Sequence, residues 1–223
     1  MSEPLLHVWH LWGLVLGTIV SLLPVIDPLS AAPVFLALTD GETDARRRAQ
    51  ARAGCFYMVA ILVSFLVGGS FLMSFFGISI PGLRIAGGMV LVRLGMEMLV
   101  ARREQGDAAT RQVPRGVDIA FSPLAMPMLS GPGSIAVTLG FTSLAEGPLD
   151  YLAIILGIVA MAVLTFAVLQ LSIRSVDWIG PVGLDAMNRI MGFLTMCIGV
   201  QFVVNGVLDP DLLQPLAAAL AGR

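Results

Sequence analysis

Asp27 is the sole acid in an apolar run covering residues 11–38. An ionisable group at membrane depth marks a functional site by default. A carboxyl group there suits proton coupling or pairing with a substrate ammonium. Asp is also a strong N-cap, so it can equally close the helix that follows. Pro24, Pro28 and Pro33 surround it within ten residues. Proline lacks an N–H and clashes with the preceding turn, so these three cannot share one unbroken helix. The same spacing returns 99 residues later as Pro123, Pro127 and Pro132, and Thr39 finds Thr138 at the same distance. Unpaired backbone in hydrocarbon costs several kcal/mol per group, so broken helix survives there only against protein or around a polar cavity. The two proline cassettes are therefore expected to face each other and line a site. Against this stands the general abundance of proline in membrane helices, which produces coincident spacings.

Other candidates cluster in or near the cassettes. Helix starts around Ser30 and Ser130 would present unpaired N–H groups and positive dipole ends, which favour carboxylates. Ala31, Ala32, Gly131, Gly133 and Ser134 are small enough to let a ligand approach the backbone, or to let helices pack tightly. With Asp27, Pro28, Ser30 and Ser130 they form the expected substrate-binding set. Gating or coupling candidates are Asp27, Arg84, Arg93, Glu97 and Arg189. Arg93 and Glu97 are four residues apart and can pair on one helix face, while Arg84 and Arg189 can snorkel to headgroups. Gln201 and Asn205 can bond between helices or to a ligand.

Catalytic chemistry finds little support. Histidine occurs only at His7 and His10, so Ser–His, Cys–His and His-based metal sites lack their base or ligand. Cys55 and Cys197 have neither metal-ligand nor redox-pair spacing. No metal, cofactor or enzymatic activity is expected. Nucleic acid is an equally poor partner, since no basic stripe exists.

Composition states where the elements must sit. Of the 223 residues, 57% are hydrophobic and 13% charged, against about 25% charged in soluble domains. Six apolar runs cover residues 11–38, 54–76, 78–101, 119–144, 152–173 and 190–208. Each approaches or exceeds the roughly 20 residues that span a bilayer core. The start lacks the positive n-region of a secretory signal, so the first run is expected to be retained, with Trp9 and Trp12 in an interfacial belt. Arg46, Arg47, Arg48 and Arg52 follow the first run, Arg102, Arg103, Arg111 and Arg115 the third, and Arg174 and Arg189 lie between the fifth and sixth. Basic residues stay cytoplasmic, which directs both termini outward.

Three spans per half is an odd number, so the second cassette would be inverted relative to the first. Arg84-Ile-Ala-Gly87 matches Arg189-Ile-Met-Gly192 at a spacing of 105. The expected fold is an all-α membrane protein forming one transmembrane domain over 1–223. It has six helices in two inverted three-helix repeats, at about 9–101 and 117–208, with helices 1 and 4 broken by proline and a tail at 209–223. Inverted repeats with broken helices meeting near the midplane typify secondary transporters.

The cassettes, Arg84-Ile-Ala-Gly-Gly88, Arg189-Ile-Met-Gly192, Gln201-Phe202 and Asn205-Gly206 together resemble the MarC family. That resemblance implies a prokaryotic inner-membrane location, a LysE-type exporter-like fold and movement of a small neutral amino acid such as glycine, alanine, serine or threonine. The competing function is a non-transporting membrane scaffold. This chain has Asp27 where the family pattern has Asn before proline, which leaves the charge of the site open.

Overall fold

The computed structural model describes residues 3–100, 118–174 and 180–210, and every regular element among them is helical. In chain order these are α1 (Glu3–Ile26), α2 (Pro28–Leu38), α3 (Asp44–Phe76), α4 (Ile80–Leu99), α5 (Ala120–Leu129), α6 (Pro132–Thr142), α7 (Pro148–Arg174) and α8 (Gly180–Val207). Stretches 7–26, 44–76, 148–173 and 185–207 are long and apolar enough to cross a membrane. The run at 78–101 corresponds to α4, which carries Arg84, Arg93 and Glu97. The run at 119–144 corresponds to α5 and α6. Arg102, Arg103, Arg111, Arg115 and the tail beyond residue 210 lie outside the described residues.

Both cassettes break, by different means. In the first, a single residue separates α1 from α2. Asp27 takes φ 40, ψ 72, the only positive φ outside glycine among the described residues. Asp is among the few L-residues that adopt this left-handed conformation. In the second, Ser122 (φ −132, ψ 124) and Met126 (φ −130, ψ 122) are extended inside α5. Each immediately precedes a proline, whose ring disfavours the helical region for its predecessor. The resulting turns are wide: Leu124 N–H bonds Ile119 O at 3.1 Å and Ser130 N–H bonds Ala125 O at 2.8 Å, each reaching back five residues.

Two boundaries differ from the hydropathy pattern. The run at 54–76 becomes a helix that begins at Asp44, because Thr43 caps it by accepting from Arg46 N–H at 3.4 Å. Arg46, Arg47, Arg48 and Arg52 therefore sit on the first turns of α3 and not in a loop. Likewise Arg189 lies well inside α8, which starts at Gly180.

Close helix contact is built on glycine. A Cβ at Gly88 would lie 2.5 Å from Gly199 O, and one at Gly95 would lie 2.5 Å from Gly192 O, so α4 and α8 touch backbone to backbone and run antiparallel. Gly54 on α3 admits Leu124 and Ala120 O of α5, while Gly157 on α7 admits Thr18 and Val15 O of α1. Small residues drive such approach in membranes, where burial of apolar surface gives no advantage over lipid. The exterior is correspondingly apolar: Trp9, Trp12, Phe71, Phe75 and Phe76 are all exposed. Polar side chains are instead sequestered, among them Thr18, Asp27, Ser130, Ser134, Thr138 and Thr195.

Gly88→Ala should lower stability by about 1–3 kcal/mol through overpacking. Gly68→Ala, where nothing lies within 4 Å of the added methyl, should be neutral or stabilising by up to about 1 kcal/mol. Unfolding in detergent micelles measures both, and equal effects would contradict the α4–α8 packing.

Candidate functional site

Pro28 has no N–H to give, so the carbonyl of Pro24 loses its partner four residues on. Thr195 on α8 replaces it: its Oγ1 lies 2.9 Å from Pro24 O and 2.8 Å from Met191 O in its own helix. The cap of α2 is Asp27, buried at 6% exposure, whose Oδ1 accepts from Ser30 N–H at 3.4 Å. The Ser30 hydroxyl touches Asp27 Oδ2 on one side and Asn188 Oδ1 of α8 on the other. Two side chains of α8 thus close the first break.

The second break is looser. Ser130 is fully buried, and its Oγ has no hydrogen-bond partner among the described residues. Ser134 Oγ donates to Leu129 O at 3.1 Å, and Thr138 Oγ1 to Ser134 O at 2.8 Å. Pro132 opens α6, leaving the first N–H groups of that helix, at Gly133 and Ser134, without intrahelical acceptors.

Two cavities lie at opposite ends of α6. At its start, about 480 Å³ is bounded by Val25, Arg93, Leu94, Glu97, Gly131, Gly133 and Ser134. At its end, about 430 Å³ is bounded by Ser21, Arg84, Phe141, Phe202, Asn205 and Asp209. The 11 residues of α6 at about 1.5 Å each place the two roughly 16 Å apart. Apolar side chains divide them. A Cβ on Gly133 would lie 2.9 Å from Val25 Cγ1 and 3.0 Å from Leu91 Cδ2, and Gly87 is pressed as closely on Ala136. Leu91 and Val137 are fully buried there. There Val25 of the first cassette packs against Gly133, the residue that follows the last proline of the second.

The ion pairs distinguish the two ends. Arg93 pairs with Glu97 at 3.1 Å within one helix turn, largely in solvent reach. Arg84 joins three elements: Nη1 bonds Asp209 Oδ2 beyond α8 at 2.8 Å, and Nη2 bonds Ser143 Oγ after α6 at 2.5 Å. Arg189 pairs with Asp185 at 2.9 Å on the exposed side of α8.

The predicted residues therefore fall into groups. Gly131, Gly133, Ser134, Arg93 and Glu97 share the first cavity, and Arg84 lines the second. Asp27 and Ser30 form a polar cluster at the first break. Pro28, Ala31 and Ala32 are buried in the packing of α2, and Arg189 lines neither cavity. Asn188, Thr195 and Asp209 escape sequence reasoning. The signal for the first two is their spacing of seven, which puts both on one face of α8, but only the fold reveals what that face meets.

Residues 12–209 match the family model described as MarC family integral membrane protein. The chain belongs to the MarC family. It is 36% identical to the inner membrane protein MarC of Citrobacter koseri over 207 residues, covering 87% of this chain and 93% of that one. The namesake in Salmonella typhimurium is 36% identical over 208 residues with the same coverage. That of Escherichia coli O1:K1 is 34% identical over 207 residues, again 87% and 93% of the two chains. No solved structure matches. With its apolar helices, this MarC-family member is a multi-pass inner-membrane protein.

Thr195→Val would orphan the buried Pro24 carbonyl and should lower stability by about 1–3 kcal/mol. Thr165→Val should cost less, because the Thr165 hydroxyl only adds a 2.9 Å bond to Met161 O of its own helix. Parallel thermal unfolding of the two variants checks this ordering.

Proposed function

We propose that this protein is a secondary transporter that exports or exchanges a small neutral amino acid, of the glycine, alanine, serine or threonine class, by alternating access. The observation that carries this reading is the pair of cavities at the two ends of α6, separated by buried apolar side chains that include Leu91 and Val137. Alternating access needs such an arrangement: one central site, two approaches and a barrier that moves. The first cavity suits a zwitterion. The start of α6 offers free N–H groups and a positive dipole end to a carboxylate, and Glu97 can meet an ammonium by giving up its 3.1 Å pairing with Arg93. Small residues at Gly131, Gly133 and Ser134 let a ligand of few atoms reach the backbone.

Two inverted repeats fit the packing. Gly88 and Gly192 stand 104 residues apart, as do Gly95 and Gly199, and each glycine of one pair touches the opposite member of the other. Such reciprocal contact is what a two-fold relation between repeats produces. The cross-packing of α3 on α5 and α7 on α1 has the same exchanged character. This register equates Gly192 with Gly88, one residue from the alignment the arginine motifs suggest. A LysE-type exporter arrangement with both termini outward accords with these features and with the arginine distribution. A non-transporting scaffold would call for a dry, filled interface between the cassettes, and the cavity beside Gly133 speaks against it. The reading involves no cofactor and no catalysis.

Proteoliposomes should show counterflow of labelled alanine or serine. Asp27→Asn should remain folded, since Asn also tolerates the left-handed conformation and caps helices, yet lose counterflow. Gly133→Val, whose branches would meet Val25 and Leu91, should slow it by about tenfold or more, the equivalent of roughly 1.4 kcal/mol. Absence of flux for every small neutral amino acid would overturn the reading.

A further inference from the structure

The cavity at the end of α6 has a charged pair in its wall. Arg84 and Asp209 both line it, their side chains only 20% and 13% exposed, and Arg84 Nη1 donates to Asp209 Oδ2 at 2.8 Å. Close backbone contact holds the two together. A Cβ at Gly206 would lie 2.8 Å from Pro81 O, and these residues stand three positions before Asp209 and Arg84 respectively. The pair therefore belongs to the packed unit of α4 and α8.

The other bond of Arg84 is of a different kind. Its Nη2 donates to Ser143 Oγ, in the turn that ends α6. The Ser143 hydroxyl itself donates to Gly140 O at 2.8 Å. When Arg84 lets go, the serine keeps that bond and its hydrogen is not orphaned. A carboxylate is a stronger acceptor for a guanidinium than a hydroxyl is, and the planar fork of arginine matches its shape. Replacing Ser143 by a ligand carboxylate at Nη2 thus gains more on one side than it loses on the other.

We propose that the cavity at the end of α6 is a second binding site for a zwitterionic solute, with Arg84 taking the carboxylate in place of Ser143. This deepens the transport reading and rests on it, by supplying a station across the barrier from Gly133. The surroundings select the ligand class. Asp209 repels a simple anion but answers an ammonium, and the carbonyl end of α6 also favours a cation. A volume of about 430 Å³ is ample for glycine, alanine, serine or threonine. The other cavity repeats the theme with Arg93 and Glu97, so each carries one arginine of α4 beside one carboxylate.

Equilibrium binding of labelled alanine to the lipid-reconstituted protein tests this. Arg84→Gln should weaken binding by about tenfold or more, as loss of a charge-assisted bond does. Ser143→Ala removes the competitor and should tighten binding, which loss of a mere brace would not do. Helical circular dichroism checks that both variants fold. A measurement that keeps Arg84 uses Ser21→Cys, in the same cavity, in a background with Cys55→Ala and Cys197→Ala. Alanine should slow its modification by a thiol reagent, and propionate at equal concentration should not. Unchanged binding in Arg84→Gln, no tightening in Ser143→Ala, no protection of Ser21→Cys, or equal protection by propionate would each overturn the proposal while leaving the transport reading its first cavity. Failure of the unsubstituted protein to bind any small zwitterion would end both.

Discussion

A proline inside a membrane span removes a donor that water cannot replace, and the fold is arranged around supplying substitutes. At Pro24 the orphaned carbonyl is met by Thr195, a side chain 171 residues away in sequence. That bond fixes α8 against the end of α1. Through Gly192 and Gly199, α8 in turn holds α4 at backbone contact, and α4 forms one wall of each cavity. A local defect in one helix thereby sets the position of two others. Left unsatisfied, it would cost about 1–3 kcal/mol.

The two cassettes share proline spacing but reach different ends. Asp27 turns the first within one residue and caps α2, so its polar groups are spent on Ser30, Asn188 and Thr195. The second spreads its distortion over Ser122 and Met126 and opens α6 with proline and glycine. That leaves a buried Ser130 hydroxyl and free N–H groups beside open space. Charge collects at the first break and room at the second. In the transport reading the second break is the one that accommodates the solute. Val25 against Gly133 joins them, so a shift of either break is felt at the barrier between the cavities.

Proline spacing makes both interruptions legible in the chain, because the ring's effect on its own residue and the one before is local. The apolar runs likewise locate the helices, since lipid sorts residues by composition. Local signals beyond hydropathy decide where helices begin: Thr43 and Asp44 start α3 well before its apolar stretch at 54–76, carrying Arg46 to Arg48 into the helix. Partners across the bundle are not legible. Nothing around Asn188 sets it apart from the polar start of a span, and Thr195 resembles Thr165 until the fold shows which carbonyl it meets. Arg84 could be expected to snorkel, yet it is held at 2.8 Å by Asp209 and bonds Ser143 as well.

The decisive test is whether the two cavities belong to opposite sides of the membrane with a barrier at Val25, Leu91 and Gly133. Single cysteines at Ser21 and Leu94, in a background with Cys55→Ala and Cys197→Ala, can be exposed to a membrane-impermeant thiol reagent from each side in turn. Labelling of Ser21→Cys from one side only and Leu94→Cys from the other only is the predicted result. Labelling of both from the same side, or of neither, would contradict the account.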